Sequence, residues 1–213
     1  MSTFRYLDEN LKHKWKGVND DVPVNSSMYV FVTEEEEKKF VENMYPTEIE
    51  KKNYQIYREE WYKRAKKFEY GDYPLSVNCE LVSTCNLACT MCYTITDKFQ
   101  NSVVGAQRVM PWSQVKNIID ECASLKVPSM SFSWRGESTM YRSKDENGNV
   151  KDFADVLKYA RDKGILEITS LTHGQLINDE MAKKIVEAEP SWISFSIDGL
   201  NDKYNEIRTP ANK

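Results

Sequence analysis

No stretch of this 213-residue chain approaches the ~18 consecutive apolar residues that a bilayer-spanning helix needs. The first residues, Met1–Gly17, contain no apolar h-region, so a secretory signal is not expected. There is no excess of positive charge: 29 basic residues stand against 33 acidic ones, a formal net charge of −4. Nothing therefore suggests a general nucleic-acid binder, which usually shows a basic patch or stripe. Low-complexity tracts are missing, and histidine occurs only at positions 13 and 173. The chain is therefore expected in the cytoplasm, away from membranes and nucleic acid, with its thiols reduced.

What is present suits a globular protein. Hydrophobic residues make up 40% and charged residues 29%, enough for a real core. The longest acidic run, Glu34–Glu37, meets Lys38 and Lys39 at once and reads as a solvated helix face. Thr33 with Glu36 and Thr47 with Glu50 fit the capping box that opens a helix, so helices are expected over 34–44 and 48–68. In the second, Tyr54, Tyr57, Trp61, Ala65 and Phe68 share one face and read as packing surface. Gly71 and Pro74 end this N-terminal extension, residues 1–73.

From residue 74 the pattern alternates. Strands are expected at Leu75–Val82, Met130–Trp134, Leu166–Thr172 and Trp192–Asp198. Between them lie amphipathic helices. One starts near Pro111 and carries Val115, Ile118, Ile119, Cys122 and Leu125. Another carries Phe153, Val156, Leu157 and Ala160 and stops at Gly164. The next is capped by Asn178 and buries Met181, Ile185 and Val186, and a last begins near Asn201. Asn147-Gly148 marks a turn in the longest polar loop. Such alternation predicts an α/β fold of parallel βα units.

Five cysteines is an odd number, and three fall in one short loop directly after the first strand: Cys85, Cys89 and Cys92, spaced C-x3-C-x2-C. In a reducing compartment that crowding favours metal over disulfides. Three thiolates on one loop can ligate three irons of a [4Fe–4S] cubane and leave the fourth open for a ligand. Zinc is the competing reading, but a structural zinc site wants four ligands, and the loop offers three. Cys79 and Cys122 lie on apolar faces and read as small core residues. Chance clustering is the third reading.

C-x3-C-x2-C after the first strand of a βα series resembles the signature of the radical SAM superfamily. Met91 stands where the family usually has an aromatic residue near the adenine of S-adenosylmethionine (SAM). Arg135-Gly136-Glu137-Ser138 resembles the family's G-G-E-P, keeping Gly136 and Glu137, which would receive the SAM amino group. A carboxylate suits an ammonium, and glycine admits a ligand close to the backbone. Thr172-His173-Gly174 resembles the family's Thr-Asn-Gly turn, with no catalytic role assigned to His173. Ser194-Phe195-Ser196-Ile197-Asp198-Gly199 resembles the S-x-D-G stretch, which would bring Ser196 and Asp198 near the ribose and carboxylate of SAM. An Asp-Gly turn ending a strand is an equal reading of Asp198. Arg208 could meet the SAM carboxylate but reads better as a surface arginine.

The resemblance covers about residues 75–209 and is to the N-terminal part of members that carry a C-terminal auxiliary-cluster domain of the SPASM type. It implies a partial, TIM-like (β/α) barrel over 74–213, truncated after four of the usual six βα units. It implies a one-electron donor of flavodoxin or ferredoxin type. The chemistry implied is reductive cleavage of SAM to a 5′-deoxyadenosyl radical that abstracts hydrogen from a peptide, protein or sugar-linked small molecule. The tail Thr209–Lys213 looks like a cut through a continuing domain, and the fourth strand is expected to keep an unpaired edge. A zinc-binding interaction module and an inactive remnant are the alternatives.

Overall fold

The computed structural model describes Phe31, residues 33–102 and residues 108–209. The expectations for Met1–Gly17, His13 and the last four residues of the tail lie outside the described residues.

Two helices come first, α1 (Glu34–Met44) and α2 (Glu48–Lys67). Thr33 and Thr47 cap them as expected. At α2 the box is complete: Glu50 N–H donates to Thr47 Oγ1, and Glu50 Oε2 takes the Thr47 N–H. The acidic run differs from expectation at its end. Glu34, Glu35 and Glu36 are exposed, whereas Glu37 is buried. The aromatic stripe of α2 also differs. Tyr54 and Tyr57 are buried, but Phe68 is an exposed left-handed cap (φ 54°), and Arg58 and Tyr62 take buried places that the stripe left out.

Four strands form one parallel sheet: β1 (Ser76–Asn78), β2 (Ser129–Ser131), β5 (Glu167–Thr172) and β6 (Trp192–Phe195), ordered β1-β2-β5-β6. Helices α4 (Trp112–Ser124), α5 (Phe153–Asp162) and α6 (Asp179–Glu187) connect successive strands. The α/β class and parallel pairing are as expected. The partial barrel is a finer statement than this sheet of four in chain order. All four strands are shorter than expected, β5 by a single residue at its start and the other three mainly because the chain leaves the ladder early to build loops at its carboxyl edge. A short helix α3 (Asp97–Gln100) follows the cysteine loop, and α7 (Asp202–Ile207) follows β6. An antiparallel hairpin, β3 (Arg142–Lys144) with β4 (Val150–Asp152), holds the expected Asn147-Gly148 turn. No expectation anticipated this hairpin: its strands are short and mostly polar.

Pleating divides the residues of the sheet. Met130, Phe132 and Ile168 enter the core against α4, α5 and α6, with Val115, Ile119, Phe153, Leu157 and Met181. Each fully buried apolar side chain contributes roughly 1.5–3 kcal/mol. Cys79 and Cys122 are in that core. Leu125 and Val186 are exposed, against expectation: Leu125 is the C-cap of α4, and Val186 follows the buried Ile185 by one residue, so it points off the buried face of α6. The alternate residues Ser129, Ser131, Glu167 and Thr169 point to the other face and are also buried. At the amino end of that face, Tyr57 Oη donates to Glu167 Oε1 over 2.8 Å, Ser129 Oγ donates to the same oxygen over 2.9 Å, and the Arg58 guanidinium stands 4.0 Å from Oε2. Helix α2 thus seals the floor of the sheet.

Candidate functional site

The carboxyl edge of the parallel sheet gathers the sequence motifs into one neighbourhood. Ligands bind at this edge in parallel α/β folds. Beyond β1 the ladder ends with Cys79 N–H donating to Ser131 carbonyl. The chain then runs beside Arg108–Met110, with an antiparallel bridge between Val82 and Val109, before turning into the cysteine loop.

Each cysteine of the loop has its own anchorage. Cys85 lies between two fixed neighbours: the Thr84 carbonyl accepts the Glu137 N–H (2.9 Å), and Asn86 Oδ1 meets His173 Nε2 (2.9 Å). Cys89 is held from its two sides by the chain after β6: Ala88 N–H donates to Thr209 carbonyl and Thr90 N–H to Ile207 carbonyl. The Arg208 guanidinium is 3.9 Å from Cys89 Sγ. Cys92 closes the turn through its N–H to the Cys89 carbonyl, and its Sγ is 2.9 Å from Thr94 Oγ1. Burial raises the pKa of Cys85, opposed by the Leu87 N–H and reinforced by Glu137 and the other two thiols. Burial raises Cys89 as well, and Arg208 offsets part of this. A cation that binds here displaces those protons.

Gly136 sits directly beneath the loop. A Cβ there would stand 2.3 Å from the Val82 carbonyl oxygen and 2.6 Å from that of Thr84, so no larger residue fits. Glu137, expected with its neighbouring backbone to receive the SAM amino group, is bonded within the protein. Its carboxylate is buried, and Oε1 accepts from Thr139 N–H, Thr139 Oγ1 and Thr172 Oγ1, while Oε2 accepts from His173 N–H. A carboxylate so engaged ties the segment after β2 to the end of β5. Burial lowers the His173 pKa, which the Glu137 charge partly opposes.

The remaining expected residues lie around this loop. Met91 is 58% exposed at the tip of the turn. Strand β6 ends at Phe195, so Ser196 and Asp198 belong to the loop after it. Ser196 N–H still donates to the Thr172 carbonyl, and Asp198 pairs with Arg208 at 2.5 Å. Arg208 is not the surface arginine expected. Its side chain is 14% exposed, joining Asp198 to Cys89. Glu80 and Arg135, which the motif reading left aside, form a multi-contact ion pair beside the loop, and the guanidinium lies over Phe99. Its only sequence signal was the arginine in the place of the family's first glycine.

Among the described residues, no three His, Cys, Asp or Glu side chains converge as a single metal ion would require. A structural zinc site wants four ligands, and this loop offers three. A cubane takes each thiolate on a separate iron, and a soft, three-thiol donor set on one glycine-backed loop fits it.

Comparison with known proteins agrees with the motifs. The family model described as the radical SAM superfamily matches residues 79–213, more than half of the chain. Fe-coproporphyrin III synthase of Methanosarcina barkeri is 35% identical over 58% of this chain and 28% of its own length. The mycofactocin maturase MftC of Mycolicibacterium smegmatis is 30% identical over 67% of this chain and 32% of its own. The serine-type anaerobic sulfatase-maturating enzyme of Bacteroides thetaiotaomicron is 30% identical over 59% of this chain and 30% of its own. The chain thus spans about a third of the length of these relatives.

Proposed function

The chain belongs to the radical SAM superfamily, and its cofactors are accordingly a [4Fe–4S] cluster and SAM; on that premise we propose that Cys85, Cys89 and Cys92 hold the cluster in a radical SAM enzyme. The single observation that carries the assignment is the loop itself: three cysteines at family spacing, at the carboxyl edge of β1, with Gly136 packed against its base. When bound, cluster and SAM together supply one-electron cleavage of a sulfur–carbon bond, giving the 5′-deoxyadenosyl radical that abstracts hydrogen from substrate.

The protein's share is binding, orientation and exclusion of water. Cys85, Cys89 and Cys92 take three irons and leave the fourth to SAM. Gly136 and the Glu137 backbone border the methionine end, and Met91 covers the adenine. Ser196 and Asp198 face the ribose and carboxylate, with Arg208 steadied by Asp198. The four-stranded sheet is read as part of a partial barrel whose floor is closed by α1 and α2. The reducing electron comes from a flavodoxin- or ferredoxin-like donor. The substrate is a peptide, protein or sugar-linked small molecule.

Anaerobic reconstitution with ferrous iron and sulfide tests this reading. It should give brown protein with about four irons and four sulfides per chain. Dithionite should bleach it, and SAM should yield 5′-deoxyadenosine. Colourless protein holding one zinc would overturn the assignment, and brown protein that releases no 5′-deoxyadenosine would mark an inactive remnant.

A further inference from the structure

The three cysteines are anchored by different parts of the fold, and the anchor of Cys85 converges on His173, to which the motif resemblance assigned no role. His173 follows β5 directly and lies 87 residues from Asn86, yet its Nε2 meets Asn86 Oδ1 at 2.9 Å. Its other ring nitrogen accepts the Gln175 N–H at 3.1 Å. The ring proton therefore resides on Nε2, which donates to the Asn86 amide oxygen. The N–H of His173 donates to Glu137 Oε2 (3.0 Å), and the N–H of Glu137 donates to the Thr84 carbonyl (2.9 Å). These bonds close a circuit: Thr84 to Glu137, Glu137 to His173, His173 to Asn86, and back through the backbone of Cys85. The first cysteine is clamped on both sides by residues that follow β2 and β5 in the chain.

We propose that His173 is a positioning residue, which fixes the cysteine loop at Cys85 through its Nε2–H bond to Asn86. The inference rests on the cluster reading above. A loop that must keep three thiolates in register gains from a rigid tie to the sheet, since outer partners that orient ligands commonly govern metal retention. The tie reaches Cys85 alone. Cys89 depends on Ile207 and Thr209, and Cys92 on the turn itself.

The test compares His173→Leu, His173→Gln and His173→Asn in the full chain, each reconstituted anaerobically and freed of loose iron. Glutamine carries an amide N–H near the place of Nε2, whereas asparagine places its amide near Nδ1. The readout is the rate at which iron passes to an external chelator, together with iron and sulfide per chain and the unfolding midpoint of the apoprotein. Leu and Asn should lose iron about 10-fold faster than the parent. Gln should stay within about twofold. Asn86→Leu should match His173→Leu, and the double variant should add nothing further. Equal iron loss in parent, Leu and Asn variants overturns the proposal and leaves the cluster reading standing. So does loss in all three variants that follows the apoprotein's unfolding midpoint, with Gln no better than Asn. A parent that takes up no iron overturns both.

Discussion

The two ends of the parallel sheet each bury one glutamate, and they use it differently. At the floor, Glu167 binds two hydroxyls, from Tyr57 and Ser129, and faces the Arg58 guanidinium, which itself lies over the rings of Tyr57, Trp61 and Tyr62. Two of its partners, Tyr57 and Arg58, are large side chains on a 20-residue helix. At the carboxyl edge, Glu137 binds backbone N–H groups and threonine hydroxyls from two loops. Its partners are short, and little apolar area is attached to them. The floor carboxylate is therefore part of the packing that stabilises the fold. The upper one ties the segment after β2 to the end of β5, beneath the cysteine loop. A buried carboxylate alone says little about function; what it is bonded to separates the scaffold from the site.

That contrast can be broken in a definite order. Tyr57→Ala removes a buried ring and the partner of Glu167, and should cost about 3–5 kcal/mol in urea unfolding, while iron per folded chain stays at the parent value. Iron loss in proportion to stability would show that the two ends are not separable. Gly136→Ala should do the reverse. Its Cβ meets main-chain carbonyls that cannot swing away, so reconstituted iron should fall to background for a stability loss of about 1–3 kcal/mol. Glu137→Gln exchanges an acceptor-only group for one that turns an N–H toward existing donors. A loss of about 1–3 kcal/mol is expected, with faster release of iron to a chelator. At the far end of the scale, Thr47→Ala breaks the cap of α2 on the floor side. It should lower the unfolding midpoint by the equivalent of about 1 kcal/mol and leave iron uptake untouched.

The floor was largely legible in the sequence, because helices announce themselves through caps and periodicity. Thr33, Thr47 and Asn178 cap as read, and both N-terminal helices end within a residue of expectation. The carboxyl edge was legible only in its cysteines and glycine. Strands read as Leu75–Val82 and Trp192–Asp198 pair only over Ser76–Asn78 and Trp192–Phe195. β-Propensity continues past the last ladder bond, and nothing local tells where the chain will turn to build a site. The roles of His173, Asn86 and Arg208 were hidden for a related reason. Each depends on a contact across 87 or 119 residues, and no spacing rule reaches that far. The inward turn of Glu137 was equally invisible, since a Gly-Glu pair does not say which way its carboxylate points.

The central claim concerns which thiols matter. The most direct measurement is iron and sulfide content after anaerobic reconstitution of five single Cys→Ala variants, compared at equal folded protein. Replacement of Cys85, Cys89 or Cys92 should reduce both to background, and replacement of Cys79 or Cys122 should leave both at the parent level. Retention of iron and sulfide by any of the first three variants, or equal loss in all five, would contradict the account.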